Sequence, residues 1–559
     1  MCGIWTLVNL MKNGTIEIDK LFEDFWNLKH RGPDNTYFQT YNNVTVGFHR
    51  LSIVNKSFTS NQPFMLRYKD RTILFICNGE IYNYNELIDE FRLDYSINSD
   101  CIVIPELYIR FIEEPLKFFE LFNNKIRGEF AYILMEFDRY NILTNLIVGR
   151  DQIGIRPLYY HPFDTSSPIL IFSSELKGTN NIDLEIKEYP PGYIQQYRFD
   201  EFSKIIYGEY NFRNVYDIKA VYNTKDDYYL SRIKYAIINS IKMRLQANRP
   251  IAFLLSGGVD SSLVAGISNK ILGTPLRTFC CGMKEGTDLI YARKVAEYIG
   301  SEHTEVFFTP EEGLQAINDV IWTTETWDTT TIRASVGQYI VSKYIGENTD
   351  ARVVLVGEGP DEVCSSYLFN WNAPSGDDLH NTAVEYVKNI HYYDSRRGDR
   401  CIARWGLEAR VPLLDPEFIE AYWSIPGEYR LPKYKGIEKW WLRMAFKEMN
   451  ILPDEVLWRK KEAFSDGVSS KEKSWFQIIQ DYIENLVSDN EMTEAATIYP
   501  YNTPKTKESY YYRKVFCNMF GYDRQDIIPQ YWQPKWDNEG KEIKEYIDPS
   551  ARVLEVYEK

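Results

Sequence analysis

Two domains of different architecture are predicted: an α+β domain of sheet-rich layers, then a doubly wound parallel α/β sheet with added helices. Three observations carry this. The chain has 559 residues, more than one core serves, and that length points to roughly two to four domains. Up to about residue 200 the apolar residues come in short, strand-length runs between turn signals. Beyond about residue 225, strand-length runs alternate with helical stretches, the signature of a parallel sheet covered by helices.

In the first half, strands are read at NVTVGFHRLSIV (43–54), RTILFIC (71–77), FAYILMEF (130–137), NLIVGR (145–150) and ILIFSS (169–174). The turns Arg31-Gly32-Pro33-Asp34 and Pro190-Pro191-Gly192 punctuate them, and helices are placed near 18–29, 84–91 and 101–122. In the second half, a helix at 227–245 precedes the apolar run IAFLL (251–255), a Gly-rich turn and another helix. TFCCGM (278–283), a helix at 288–300, EVFF (305–308), a helix at 311–322 and ARVVLV (351–356) continue the alternation. Residues 380–520 read as mostly helical, and the last forty are polar and proline-punctuated. The expected boundaries are a first domain at 2–205, a linker at 206–226, a second domain at 227–520 and an irregular tail at 521–559.

Hydrophobic residues make up 44% and charged residues 26%, as in an ordinary globular protein. The net charge of −15 disfavours nucleic acid as a partner. No apolar run approaches the roughly 18 residues of a membrane helix. The eight cysteines include no C-x-x-C pair, so neither a zinc site nor a disulfide framework is suggested, and a reducing, cytoplasmic setting fits. Cys2, in MCGIW, reads either as the start of a buried strand or as a nucleophile exposed by loss of Met1.

The strongest local motif is Leu255-Ser256-Gly257-Gly258-Val259-Asp260-Ser261-Ser262, between a predicted buried strand and a predicted helix. Its glycines let the backbone approach an anion, the helix start aims N–H groups at it, and the serines add hydroxyls. It matches neither the P-loop nor the dinucleotide pattern. A carboxylate such as Asp260 beside phosphates implies Mg2+, and Asp361, in Gly357-Glu358-Gly359-Pro360-Asp361-Glu362 beyond the next strand, is placed to share it. Arg333 reads as a bidentate grip on a substrate carboxylate or as a structural ion pair. Lys461 reads as a stabiliser of charge on an α-phosphate or as a surface lysine.

The S-G-G-x-D-S loop resembles the pyrophosphate loop of the N-type ATP pyrophosphatases. In one order the chain also carries MCGI, HRGPD (30–34), HRLSIV (49–54), NGEIYN (78–83), Ser99-Asp100, GRDQIGIRPLYY (149–160), SSELK (173–177), TTIRAS (330–335), GEGPDE (357–362) and EARVPLLD (408–415). Together, over residues 1 to about 520, these resemble the glutamine-hydrolysing asparagine synthetases.

The resemblance implies an N-terminal class II glutamine amidotransferase domain with an Ntn-type αββα sandwich. Cys2 would be its nucleophile and the Cys2 α-amine its base, with Asn78 and Gly79 as the oxyanion hole. Arg50, Leu51, Ser52, Ile53, Val54, Glu80 and Asp100 would join them in holding glutamine. In the second domain ATP would bind at Leu255, Ser256, Gly257, Gly258, Asp260, Ser261, Cys281, Val356 and Gly357. Thr330, Thr331 and Arg333 would recognise aspartate, and Glu358 and Lys461 would assist formation of β-aspartyl-AMP. Mg2+ would sit on Asp260 and Asp361. An internal tunnel would carry the ammonia, and small molecules and a second copy in a homodimer would be the partners. An adenylating ligase with another carboxylate acceptor is the alternative, but such relatives lack the N-terminal cysteine. A regulatory protein that only senses glutamine and ATP is a further reading. Departures from the family cluster in one place: Pro360 replaces a small residue, Cys364-Ser365-Ser366-Tyr367 replaces a glycine-containing ending, and Val356 replaces a serine. Proline removes a backbone donor, and serine costs more than glycine wherever φ is positive.

Overall fold

The computed structural model describes residues 1–10, 18–94, 99–164, 169–199, 205–284, 286–461, 467–469 and 473–546. They form two compact units. The first comprises Met1–Asn214 with Gln246–Arg249 and Ala403–Glu408; the second comprises Val215–Leu245, Pro250–Ile402 and Ala409–Lys559.

The first unit contains β1 (Gly3–Asn9), β2 (Asn35–Tyr41), β3 (Val44–Arg50), β4 (Phe64–Tyr68), β5 (Arg71–Ile81) and β6 (Gly128–Phe137). It continues through β7 (Leu143–Arg150), β8 (Tyr159–Tyr160), β9 (Ile169–Ser173), β10 (Lys187–Glu188), β11 (Tyr193–Phe199) and β12 (Ile205–Asn211). One six-stranded sheet runs β10-β8-β9-β1-β3-β2 and the other β12-β11-β7-β6-β5-β4, with antiparallel pairings throughout. Ile4, Val46 and Phe48 of the first sheet meet Leu74, Ile76, Ile133 and Val148 of the second in one fully buried core. The outer face of the second sheet packs Phe75 and Tyr132 against Leu107, Phe118 and Phe122 of two helices. Helix Ile18–Trp26 covers the first sheet, with Phe25 stacked on His49. The layering is therefore αββα, as expected.

Three boundaries differ from the sequence reading, each for a local reason. The helix expected at 101–122 is two helices, Val103–Arg110 and Pro115–Asn124, because Pro115 has no N–H to continue the first and suits the first turn of the second. The strand expected to run to residue 54 ends at Arg50, where Asp34 Oδ2 accepts the Ser52 N–H at 2.8 Å and draws 51–54 out of the sheet. β12, Ile205–Asn211, runs into the linker expected at 206–226 and pairs antiparallel with β11.

The second unit carries β13 (Ile251–Leu254), β14 (Arg277–Gly282), β15 (Glu302–Phe307), β16 (Val353–Leu355) and β17 (Glu408–Arg410) in the order β15-β14-β13-β16-β17. β13 pairs parallel with both β14 and β16, so the strand order reverses at β13. That switch point opens a crevice at the carboxyl ends of β13 and β16, where ligands of such sheets bind. Among the described residues no helix is long and apolar enough to cross a membrane, and all eight cysteines are free thiols.

Candidate active sites

In the first unit, Cys2 stands one residue before β1 and is half-buried against the inter-sheet core. The Leu51 N–H points at its sulfur at 3.5 Å, so the segment drawn out of β3 forms one wall of the site. Its backbone is held as well. Arg31 Nε donates to the Cys2 carbonyl at 3.0 Å, and Arg31 is anchored on Glu175 at 2.5 Å. Glu175 also meets His30 at 3.1 Å and Lys177 at 2.8 Å. Burial alone would raise the Glu175 carboxyl, but Lys177, His30 and Arg31 hold it well below the usual carboxylate range. HRGPD and SSELK are thus one buried ion network that fixes the cysteine's backbone, a role that sequence reading did not assign to Arg31 and Glu175.

Met1 is 1% exposed. Its amino group donates to the Leu407 carbonyl at 3.1 Å, and its sulfur lies 2.6 Å from Arg156 Nη1. Arg156 is presented by a tight loop in which Asp151 accepts the N–H groups of Ile153, Gly154, Ile155 and Arg156, and it pairs with buried Glu129 at 3.0 Å. Burial pushes the Met1 amine down to about 5 and the Cys2 thiol up to about 11, the latter partly offset by the chain's amino group and the Leu51 N–H. With Met1 attached the thiol is un-ionised at neutral pH.

Asn78 ends the buried run Ile73–Asn78 of β5, and Gly79, partly exposed, follows it. Asn78 is fully buried, and neither its amide oxygen nor its nitrogen has a partner among the described residues. Such a group is costly unless something transient uses it. A Cβ at Gly79 would lie 2.2 Å from the Glu129 carbonyl, so only glycine fits there. Glu80 is buried, and Asp100 Oδ2 accepts the Ile81 N–H at 2.8 Å; burial pushes the Asp100 carboxyl up. Arg50 donates from Nη1 to the Ser57 carbonyl and Asn61 Oδ1, at 2.8 and 2.6 Å, and from Nη2 to the Asn55 carbonyl. Three of its five N–H groups are therefore occupied by the 55–61 loop, and the other two have no partner among the described residues.

In the second unit, a cavity of about 160 Å3 lies at the switch point. Leu255, Ser256, Gly258, Asp260, Ser261, Cys281, Gly357, Glu358, Asp361 and Lys461 all line it. The loop after β13 is closed by the Ser256 N–H on Ser261 Oγ at 3.1 Å and by Ser256 Oγ on Ser261 Oγ at 3.0 Å. Gly258 then caps helix Val259–Leu272, whose first turn faces the cavity. Gly257 does not line it. Gly257 has φ +72°, and a Cβ there would lie 2.5 Å from the Ala292 nitrogen, so this glycine shapes the turn from behind. Val356 is also absent from the lining; its N–H donates to the Arg410 carbonyl at 3.2 Å.

Sequence reading missed Lys439. Its ammonium, 3% exposed, bonds Asp260 Oδ2 and, at 2.6 Å, Asp361 Oδ1, while Lys461 bonds Asp361 Oδ2. Glu438 holds the Lys461 backbone N–H at 2.8 Å, so neighbouring residues set both lysines. Burial raises the Asp260 carboxyl against the pull of Lys439; for Asp361, Lys439 and Lys461 overcome burial and hold it well below the ordinary range. Only the bare run Gly436-Ile437-Glu438-Lys439 could have signalled this residue. Glu358 accepts from Gln338 at 2.8 Å and lies 3.7 Å from Arg397, with burial raising its carboxyl.

The expected aspartate set is not on this cavity. Arg333 is clamped by Glu508, Nε to Oε1 at 2.8 Å and Nη2 to Oε2 at 2.5 Å, with both side chains buried. The guanidinium fork matches a carboxylate bidentately, and the protein itself supplies that carboxylate. Thr331 is occupied as well, its N–H and hydroxyl donating to Asp328 at 2.8 and 2.7 Å in the cap of helix Thr329–Asn348. Thr330 lies outside the cavity lining, its hydroxyl without a partner among the described residues. The departures from the family resolve too. Pro360 is the first residue of the short helix Pro360–Val363, where no N–H is needed. Ser365 does adopt positive φ, +55°, at a cost of about 1–2 kcal/mol. Its neighbour Ser366 donates to Asp361 Oδ1, a contact glycine could not make.

The point on which Asp260 and Asp361 converge is held by the Lys439 ammonium, and Lys461 takes the second Asp361 oxygen. Asp260 Oδ1 is buried without a partner among the described residues, a hard oxygen donor of the kind that suits Mg2+.

Comparison with known proteins adds the following. The asparagine synthase family pattern matches residues 232–373 and 370–543, and the glutamine amidotransferase domain pattern matches residues 1–221. Glutamine-hydrolysing asparagine synthetases from Cricetulus griseus and Gallus gallus are each 39% identical over 100% of this chain and 99% of their own. That from Homo sapiens is 38% identical over the same shares. Among solved structures, B. subtilis glutamine phosphoribosylpyrophosphate amidotransferase covers 56% of this chain and 91% of its own at 12% identity, with a TM-score of 0.31. NMN synthetase from Francisella tularensis covers 49% and 93% at 13% identity, with a TM-score of 0.22.

Proposed function

The chain belongs to the glutamine-hydrolysing asparagine synthetases and makes L-asparagine from L-aspartate with L-glutamine as nitrogen donor; we propose that it does so through β-aspartyl-AMP, with the two sites above as its chemistry. The observation that carries the proposal is the pairing, in one chain, of a backbone-clamped Cys2 with a phosphate-type loop whose two carboxylates meet two lysines.

In the first unit, loss of Met1 gives Cys2 its own α-amine. Such amines have a reference pKa of about 7.7–8.0, near neutrality, so this one takes the thiol proton without a second side chain. The thiolate attacks the glutamine side-chain carbonyl carbon. The oxyanion is met by Asn78 Nδ2 and the Gly79 N–H, and the α-ammonium returns its proton to the departing ammonia. Water then hydrolyses the thioester to glutamate. Arg50, through its two remaining N–H groups, takes the glutamine α-carboxylate, Asp100 and Glu80 take the ammonium, and 51–54 form the wall.

In the second unit, a β-carboxylate oxygen of aspartate attacks the α-phosphorus of ATP, and the bond to the β-phosphate breaks. Pyrophosphate leaves on the Ser256–Ser261 loop, which supplies N–H groups and hydroxyls. Lys461 and Lys439 offset the charge that develops there. Mg2+, held by Asp260 and Asp361, would neutralise pyrophosphate charge when bound. Glu358 orients the acyl-adenylate, whose carbonyl ammonia attacks to release AMP. No observation favours another acceptor, and Cys2 argues against the relatives that lack it.

The expected result is asparagine with one AMP per asparagine, whether glutamine or ammonium supplies nitrogen. Release of ADP would sink the adenylate. The assay is asparagine formation with nucleotide products resolved by chromatography.

A further inference from the structure

Behind the loop 358–362 of the second unit lies a separate cavity of about 300 Å3, which shares no lining residue with the nucleotide cavity. The polar C-terminal stretch, read from sequence as an irregular tail, closes it. Residues 530–535 and 542–544 lie over helix Gly376–Asn389 and the turn that follows. Two tyrosines fasten them: the Tyr386 hydroxyl donates to the Gln533 carbonyl at 2.6 Å and the Tyr393 hydroxyl to the Gln530 carbonyl at 2.9 Å. With those hydroxyls occupied, the rings of Tyr386 and Tyr393, together with Trp532, are left as the cavity's walls.

Its polar groups have opposite signs. Glu362 is 4% exposed; its Oε1 accepts the Tyr367 hydroxyl, while Oε2 has no partner among the described residues. Lys535 donates to Glu385 at 2.9 Å and to Glu542 at 2.7 Å, which uses two of its three N–H groups. Lys544 also lines the cavity, but a phosphate ligand is disfavoured because three carboxylates, Glu362, Glu385 and Glu542, outnumber the two lysines. A simple cation would leave the third Lys535 donor unused. A group carrying an ammonium and a carboxylate on one carbon answers both poles.

We infer that this cavity binds the α-ammonium and α-carboxylate of a free amino acid, the ammonium at Glu362 and the carboxylate at Lys535, with the side chain against Tyr393 and Trp532. The site is wired to the nucleotide cavity. The Trp532 and Tyr367 rings lie 5.1 Å apart, Tyr367 bonds Glu362, and Lys461 Nζ stands 5.8 Å from the Tyr367 ring. Glu362 itself follows Asp361. A ligand here therefore touches Glu362 and Trp532, both in contact with Tyr367, over whose ring Lys461 stands. The reacting aspartate is not this ligand, because its β-carboxylate must reach the α-phosphorus in the other cavity; the ligand is a separate amino-acid effector.

The test is calorimetric titration of the full-length chain, without nucleotide, with L-aspartate, L-asparagine and succinamate, which lacks the α-ammonium. At least one amino acid is expected to bind, and succinamate not. Glu362→Gln and Lys535→Ala are each expected to weaken binding about tenfold or more. If Glu362→Gln does not fold, Lys535→Ala, at the solvent side, carries the test alone. Binding of an amino acid with the KM for aspartate in ATP/pyrophosphate exchange unchanged in the variants supports the effector site. A raised KM for aspartate in the variants would make this part of the substrate site and overturn the effector assignment. No binding of either amino acid, equal affinity in the variants, or succinamate binding as tightly as asparagine overturns the inference. Because no nucleotide is present, failure here leaves the adenylation reading untouched.

Discussion

Cys2→Ala is expected to remove glutamine-dependent asparagine synthesis, by roughly 10⁴-fold or more, while synthesis from ammonium persists. The size follows from the absence of a substitute. The site offers one nucleophile, fixed by Arg31 at its carbonyl and by Leu51 at its sulfur. A waiting oxyanion hole cannot act without an attacking atom. The second activity survives because its groups, Asp260, Asp361, Lys439 and Lys461, belong to a different unit of the chain. The wild-type mature mass should lack Met1, since the buried methionine keeps the amine off Cys2 and the thiol at about 11. Chain retaining Met1 should hydrolyse glutamine as poorly as Cys2→Ala. Equal loss of glutamine- and ammonium-dependent synthesis in Cys2→Ala would contradict separable chemistry.

Asp260→Asn is expected to lower aspartate-dependent ATP/pyrophosphate exchange by about 10²–10³-fold and leave glutaminase activity in place. Asp260 does two things that asparagine cannot. It carries one of the two negative charges that hold Lys439 in the cavity, and it presents the unpartnered Oδ1 that fits Mg2+. Asparagine keeps the shape and removes the charge, so Lys439 would rest on Asp361 alone. Exchange measured across Mg2+ concentration separates the roles: a raised Mg2+ requirement reports the ion, and a flat loss reports the lysine. Full exchange in the variant would displace Asp260 from both.

Much of this was legible in the sequence, for identifiable reasons. The αββα layering follows from strand-length apolar runs whose spacing survives folding, and the nucleotide cavity from glycines with steric requirements, such as Gly257 with its φ of +72°. Lys439 was not legible, because nothing local distinguishes it; its importance comes from Asp260 and Asp361, 179 and 78 residues away. Arg333 was open to two readings for the complementary reason. A guanidinium suited to a substrate carboxylate is equally suited to Glu508, 175 residues on. The Arg31–Glu175 network lay inside quoted motifs, but its purpose appears only when both reach the Cys2 backbone. Residues 530 and 533 carry no regular secondary structure of their own; tyrosines on another element hold them, and no local periodicity could announce that.

The central claim is that aspartate is activated on the α-phosphorus. Aspartate labelled with ¹⁸O in the β-carboxylate tests it most directly, with mass analysis of the nucleotide after asparagine formation. One ¹⁸O is expected in AMP, because the attacking oxygen stays on phosphorus when ammonia displaces the acyl group. Unlabelled AMP, or label in inorganic phosphate beside ADP, would contradict it.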